Sequence, residues 1–65
     1  MFTDREKDVL ELICRGYTNT EIAERLNISF HTAKAHVASI LHKLNAKNRL
    51  LAAVKYMMSK SENID

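Results

Sequence analysis

Residues 18–44 carry two helical patterns with only three or four residues between them, so the chain must turn sharply there to bury both. Thr18-x-x-Glu21 fits a capping box, in which each side chain bonds the other residue's backbone N–H. Ile22, Ala23 and Leu26 then recur at helical spacing on one face. Asn27 suits the left-handed position that ends a helix. Ser29 suits the N-cap of the next one, with Thr32 as a second hydroxyl in its first turn. In that next helix Ala33, Val37, Ile40, Leu41 and Leu44 form one apolar stripe at about 100° per residue. His31, Ala35, Ala38 and His42 lie on the opposite face. Lys34 flanks them on one side, and Thr32, His36, Ser39 and Lys43 on the other.

No acid occurs on this helix. A solvated face ordinarily mixes both signs, so this one fits an anionic partner. The alternative is an ordinary exposed helix that happens to carry Lys and His. Ala35 and Ala38 are small enough to let the helix approach base edges, and alanine can contact a thymine methyl. The rest of the chain repeats the bias. The formal net charge is only +2, yet residues 1–25 hold six acids and four bases. Residues 26–61 hold Lys34, Lys43, Lys47, Arg49, Lys55 and Lys60 and no acid. A basic half beside a mildly acidic half is the footprint of nucleic-acid binding, and would also serve an anionic membrane surface or an acidic protein.

The 65 residues make a single domain, 1–65, with a thin core. Domains this small often gain stability from a partner, a metal or disulfides. Cys14 is the only cysteine, which leaves no disulfide framework and no Cys-based metal pattern. A reducing cytoplasm is the expected compartment. No apolar run approaches the ~18 residues needed to span a membrane. The start, Met1-Phe2-Thr3-Asp4, turns polar too early for a secretory signal.

The first helix is expected over about residues 4–15. Thr3-x-x-Glu6 is a second capping box. Val9, Leu10, Leu12 and Ile13 give it a broad apolar face, and Asp4, Glu6 and Asp8 sit near the N-terminus, where the helix dipole favours acids. Gly16, the only glycine, fits the position just past its end. Tyr17 is expected to pack back across that exit, and Cys14 to be a small buried hydrophobe. The next two helices are expected over about 19–26 and 30–44. Asn45, Ala46, Lys47 and Asn48 then form a connector, with Asn48 the N-cap of a fourth helix over about 49–59. There Leu50, Ala53, Val54 and Met57 point one way, and Leu51 and Met58 lie 80–100° round from them at about 100° per residue. Either both rows pack inside, or Leu51 and Met58 meet a second copy of the chain. Residues 59–65 read as a polar, fraying tail.

Catalytic patterns are absent. His31 and His42 share a face but stand roughly 16 Å apart at 1.5 Å per residue, and His36 points elsewhere. Helical zinc pairs want i,i+3 or i,i+4 spacing, so no metal is expected. One glycine cannot make a phosphate-cradling loop, and no Ser or Cys is followed by a convincing base. Neither an enzyme nor a cofactor is expected.

The runs FTDREKDVLELICRGYTNTEIAERLNIS, TAKAH, HKLNAKNR and LAAV together resemble the LuxR/GerE-type helix-turn-helix DNA-binding domain, almost without a gap over residues 2–54. The resemblance implies an all-α fold of four helices, the third entering the major groove of double-stranded DNA and the fourth making a homodimer contact. It implies a cytoplasmic bacterial transcriptional regulator. In that family the domain often follows a receiver or ligand-binding domain in a longer protein. Lys34 matches the lysine that commonly touches bases or nearby phosphates, and Ala35 and Ala38 match outward positions that often read base edges. Thr32, His36 and Lys43 match positions near the phosphate backbone, as do Thr18, Asn19 and Thr20. His31 and His42 join the expected DNA face. Glu6 and Arg49 match positions read as a structural ion pair. Leu51, Val54, Lys55 and Met58 belong to the expected dimer helix. Ala33, Ala38 and Thr20 depart from the family's usual valine, longer polar residue and lysine. The competing expectation is a protein–protein module that binds an acidic partner through the basic face and the fourth-helix apolar row, without DNA.

Overall fold

A computed structural model describes residues 2–64 of the chain, with side chains to residue 60. Four helices follow in order: α1 (Asp4–Cys14), α2 (Asn19–Leu26), α3 (Phe30–Lys43) and α4 (Arg49–Ile64). Among the described residues there is no strand, and the fold is all-α as expected.

Side-chain caps set every helix start. Thr3 Oγ1 accepts the Glu6 N–H at 3.0 Å, and Glu6 Oε1 accepts the Thr3 N–H at 2.9 Å. Thr18 and Glu21 repeat the exchange at 3.2 and 2.8 Å. Ser29 Oγ accepts the Thr32 N–H at 3.0 Å and donates to Thr32 Oγ1 at 2.8 Å. Asn48 Oδ1 accepts the Leu51 N–H at 2.9 Å. Each such cap contributes about 1 kcal/mol.

Three ends share one device. Gly16, Asn27 and Asn45 take φ of 88°, 56° and 52°. In each case the N–H of the following residue reaches back five residues: Tyr17 to the Leu12 carbonyl, Ile28 to Ala23 and Ala46 to Leu41, at 2.9 to 3.1 Å. These bonds satisfy carbonyls that a helix end otherwise leaves bare. Only Asn27 to Ser29 separate α2 from α3, which makes the pair a helix-turn-helix.

The core takes Val9, Leu10, Leu12 and Ile13 from α1, Ile22 and Ala23 from α2, and Ala33, Val37 and Ile40 from α3. Phe2, Tyr17, Leu26, Ile28, Leu41, Leu44, Ala53 and Tyr56 pack around it. α1 lies against all three other helices, whereas among the described residues the α2 and α4 backbones do not come close and Arg49 reaches across to Asn19 by its side chain. Cys14 is half-buried at the edge of this core rather than inside it.

α4 is turned differently from the sequence reading. Its buried residue is Ala52, with Ala53 and Tyr56 half-buried beside it. Leu50, Val54 and Met57, expected inside, are exposed, as are Leu51 and Met58. Packing with both apolar rows inside is therefore excluded. The inward face is the one that permits close approach and polar contacts: small Ala52 lets the backbones near, and the Tyr56 hydroxyl donates to Glu11 Oε2 at 3.4 Å. The helix also continues past Ser59 to Ile64, where a fraying tail was expected. Lys60 donates to Glu11 Oε2 at 3.0 Å and lies 5.3 Å from the Tyr56 ring centroid, which ties this extra length to α1. Asp65, the last residue of that expected tail, lies outside the described residues.

Candidate nucleic-acid interface

The buried stripe of α3 fixes which way its other side faces. With Ala33, Val37 and Ile40 in the core, His31, Thr32, Lys34, Ala35, Ala38 and His42 are all exposed. His36 is half-buried on the flank. These residues form one surface with small side chains at its centre. The start of α2 adds Thr18 and Thr20, both exposed, and half-buried Asn19. A cleft of about 390 Å³ runs beside them, walled by Phe30 and Arg49.

Glu6 and Arg49 do not pair, contrary to expectation. Glu6 sits at the α1 N-terminus, against the far end of α3. There Lys43 Nζ donates to Glu6 Oε1 at 2.7 Å and Ser39 Oγ to Oε2 at 2.9 Å. Together with the Thr3 N–H they leave Glu6 buried but fully bonded. The Lys43 hydrogen bond, followed by the Thr3 N–H, holds the Glu6 carboxyl down to about 2, against the opposing effect of burial. Arg49 instead meets the exit of α1 and the start of α2. Its Nη1 donates to Asn19 Oδ1 and its Nη2 to the Tyr17 carbonyl, both at 2.9 Å. The length of α1, roughly 16 Å for its 11 residues, separates the two sites.

This network changes the charge reading. Of the six cations in residues 26–61, four have internal partners. Lys43 is held by Glu6 and Lys60 by Glu11. Arg49 is held by Asn19 and Tyr17. Lys55 Nζ donates to the carbonyls of Leu44 and Asn45 at 3.2 and 2.9 Å. Among the described residues, Lys34 and Lys47 make no side-chain hydrogen bond or ion pair. Lys34, from the first half of α3, is therefore the cation most available on the outward face. Lys43 is partly exposed but tethered, lying 5.8 Å from the Phe2 ring centroid.

Of the residues expected at a dimer contact, Leu51, Val54 and Met58 lie on one open strip of α4. Lys55 is exposed too, but its ammonium bonds the carbonyls of Leu44 and Asn45 just past the end of α3, where a cation is favoured by the helix dipole. Leu50 and Met57 widen the strip and were not anticipated there. Phe30, 48% exposed at the first turn of α3, was also missed. At about 100° per residue Phe30 falls on the apolar stripe of α3, one turn before Ala33, so periodicity alone places it inside and gave no signal of its exposure. Cys14 carries no reactive-thiol signature: burial, followed by the Glu11 charge, pushes its thiol up. Among the described residues no group of His, Cys, Asp and Glu is placed to hold a metal ion. No described helix is long and apolar enough to cross a membrane.

The sequence profile described as bacterial regulatory proteins, luxR family, matches residues 1–56. The nitrate/nitrite response regulator protein NarP of Escherichia coli (strain K12) is 38% identical over 60 residues, covering 92% of this chain and 28% of that protein. The response regulator protein VraR of Staphylococcus aureus (strain Mu3 / ATCC 700698) is 44% identical over 54 residues, covering 83% of this chain and 26% of that protein. VraR of Staphylococcus epidermidis (strain ATCC 35984 / DSM 28319 / BCRC 17069 / CCUG 31568 / BM 3577 / RP62A) matches over the same shares. The chain thus spans about a quarter of the length of the curated relatives it matches. With the four-helix fold, the helix-turn-helix and a profile match over most of its length, the chain belongs to the luxR family of bacterial regulatory proteins.

Proposed function

We propose that this chain is the DNA-binding part of a cytoplasmic transcriptional regulator, which sets α3 in the major groove of duplex DNA. The observation that carries this reading is the outward face of α3, wholly exposed, small at its centre, free of acids and bearing the unpaired Lys34. Recognition helices read base edges with their N-terminal residues, and Lys34 lies in that half. Ala35 and Ala38 supply close approach, His31 and His42 extend the face, and Thr32 and His36 lie beside the backbone. Thr18, Asn19 and Thr20 contact the adjacent phosphates. Such contacts position the domain, while base contacts specify its site. The response-regulator relatives favour a longer parent in which another domain, a receiver or a ligand-binding unit, governs the output. The protein acts as a homodimer through Leu51, Val54 and Met58, an apolar strip too exposed to belong to the monomer's core.

Selection of bound duplexes from a random pool, followed by Lys34→Ala, tests the reading. The selected site should contain two related half-sites. Lys34→Ala should cost about 1–3 kcal/mol on that site and relax preference at one position per half-site. Lys60→Ala, on the far helix, should bind as wild type. An unenriched pool, or a Lys34→Ala variant that binds selected and scrambled DNA as wild type does, defeats the proposed orientation of α3.

A further inference from the structure

Arg49 is a cation whose recorded partners carry no charge. Its acceptors, the Asn19 side-chain oxygen and the Tyr17 carbonyl, are neutral, and it forms no ion pair among the described residues. A guanidinium has five N–H donors, and only two are used here. The side chain is half-buried on the wall of the cleft beside the start of α2, so its position is fixed before any ligand arrives. The exposed hydroxyls of Thr18 and Thr20 line the same cleft. Phe30 forms its other wall and is, among the described residues, the one large apolar side chain exposed outside α4. Phe30 is not among the described hydrophobic side chains packed against the core.

A fixed, uncompensated guanidinium attracts an anion, hydroxyl groups donate to it, and an open ring favours an apolar neighbour. Phosphate alternating with deoxyribose presents that combination at short repeat. We infer that the cleft between Phe30 and Arg49 seats one sugar–phosphate strand of bound duplex DNA, Arg49 meeting a phosphate and Phe30 the adjacent sugar. The inference rests on the DNA-binding reading and adds two contacts to it. Phe30 opens α3, so the strand passes from the start of α2 to the edge of the base-facing surface. Both contacts are independent of sequence, because every nucleotide offers the same sugar and phosphate.

The test compares Phe30→Ala, Arg49→Gln and Arg49→Lys with wild type on two unrelated duplexes of equal length. Binding is followed by fluorescence anisotropy across a salt series, and folding by thermal unfolding. Covering a half-exposed phenyl ring corresponds to about a tenfold change in Kd. Phe30→Ala should therefore weaken both duplexes about tenfold and leave the salt slope unchanged. Arg49→Gln should lower the slope by about 0.9 per protomer, and Arg49→Lys should restore it. Should Arg49→Gln unfold, Phe30→Ala still decides, since its side chain is half outside the fold. A Phe30→Ala variant that binds as wild type overturns the cleft while leaving DNA binding standing. Weakening confined to one duplex places Phe30 on a base and also overturns it. A wild type that binds neither duplex overturns the DNA-binding reading together with this inference.

Discussion

Ile40→Ala is the sharpest test of how α3 is seated. Ile40 has no exposed surface and faces the core from the second half of α3. Truncation to alanine removes three carbons, worth about 2.4 kcal/mol at 0.8 kcal/mol per buried methylene. If the surroundings do not collapse, the cavity raises the total toward the upper end of about 2–5 kcal/mol. At roughly 0.05–0.15 kcal/mol per residue, a chain of 65 residues has about 3–10 kcal/mol in all. The variant should thus lose a large part of its stability. At about 4–8 °C per kcal/mol, its thermal midpoint should fall by roughly 10 °C or more. Circular dichroism at 222 nm during heating and in urea measures both quantities. His42→Ala, on the outward face of the same helix, is the comparison and should stay within about 0.5 kcal/mol of wild type. An unchanged midpoint for Ile40→Ala, or a larger loss for His42→Ala, would refute the orientation on which the proposed DNA face depends.

Other consequences can be checked separately. Leu51→Glu and Met58→Glu should leave helicity intact, because both side chains are exposed, but should weaken self-association in sedimentation and cooperative binding to paired half-sites. Loss of helicity in these variants would show instead that the strip belongs to the folded core. The Glu6 carboxyl is held at about 2, below its ordinary 4.5, so its stabilising contribution is complete above 4.5 and is lost as pH falls toward about 2. Wild type should therefore lose more thermal stability over that window than Glu6→Gln does, and parallel losses would argue against the Lys43 and Ser39 bonds.

The parts of the fold legible in the sequence were those decided within four or five residues. Thr3, Thr18, Ser29 and Asn48 announce helix starts because a cap needs only its own first turn. Gly16 and Asn27 announce ends for the same reason. Asn45 does likewise, although its sequence context reads only as connector. The inward side of α4 was not legible. Its apolar residues cover more than one face, and the choice fell to Ala52 and Tyr56, whose value depends on how near α1 lies. The ion pairs were equally remote: Lys43 and Glu6 are 37 residues apart, and Lys60 and Glu11 are 49 apart. A count of charges therefore overstated the free basic surface. For the candidate interface, helical periodicity sufficed to expose the outward face of α3. The role of Arg49 depended on three separate segments meeting at the α2 start.

The salt dependence of duplex binding tests the central claim most directly. A dimer making about 6–10 phosphate contacts loses about 10³–10⁵ in affinity between 50 and 200 mM salt. Of the six cations in residues 26–61, Lys43 and Lys60 are neutralised by Glu6 and Glu11. The response should therefore fall at the lower end, a loss of about 10³ with a slope near −5. Anisotropy of a labelled duplex, titrated at several salt concentrations, gives that slope. A steep linear decline of this size is the predicted result, and a flat response over the same range would contradict DNA binding by this domain.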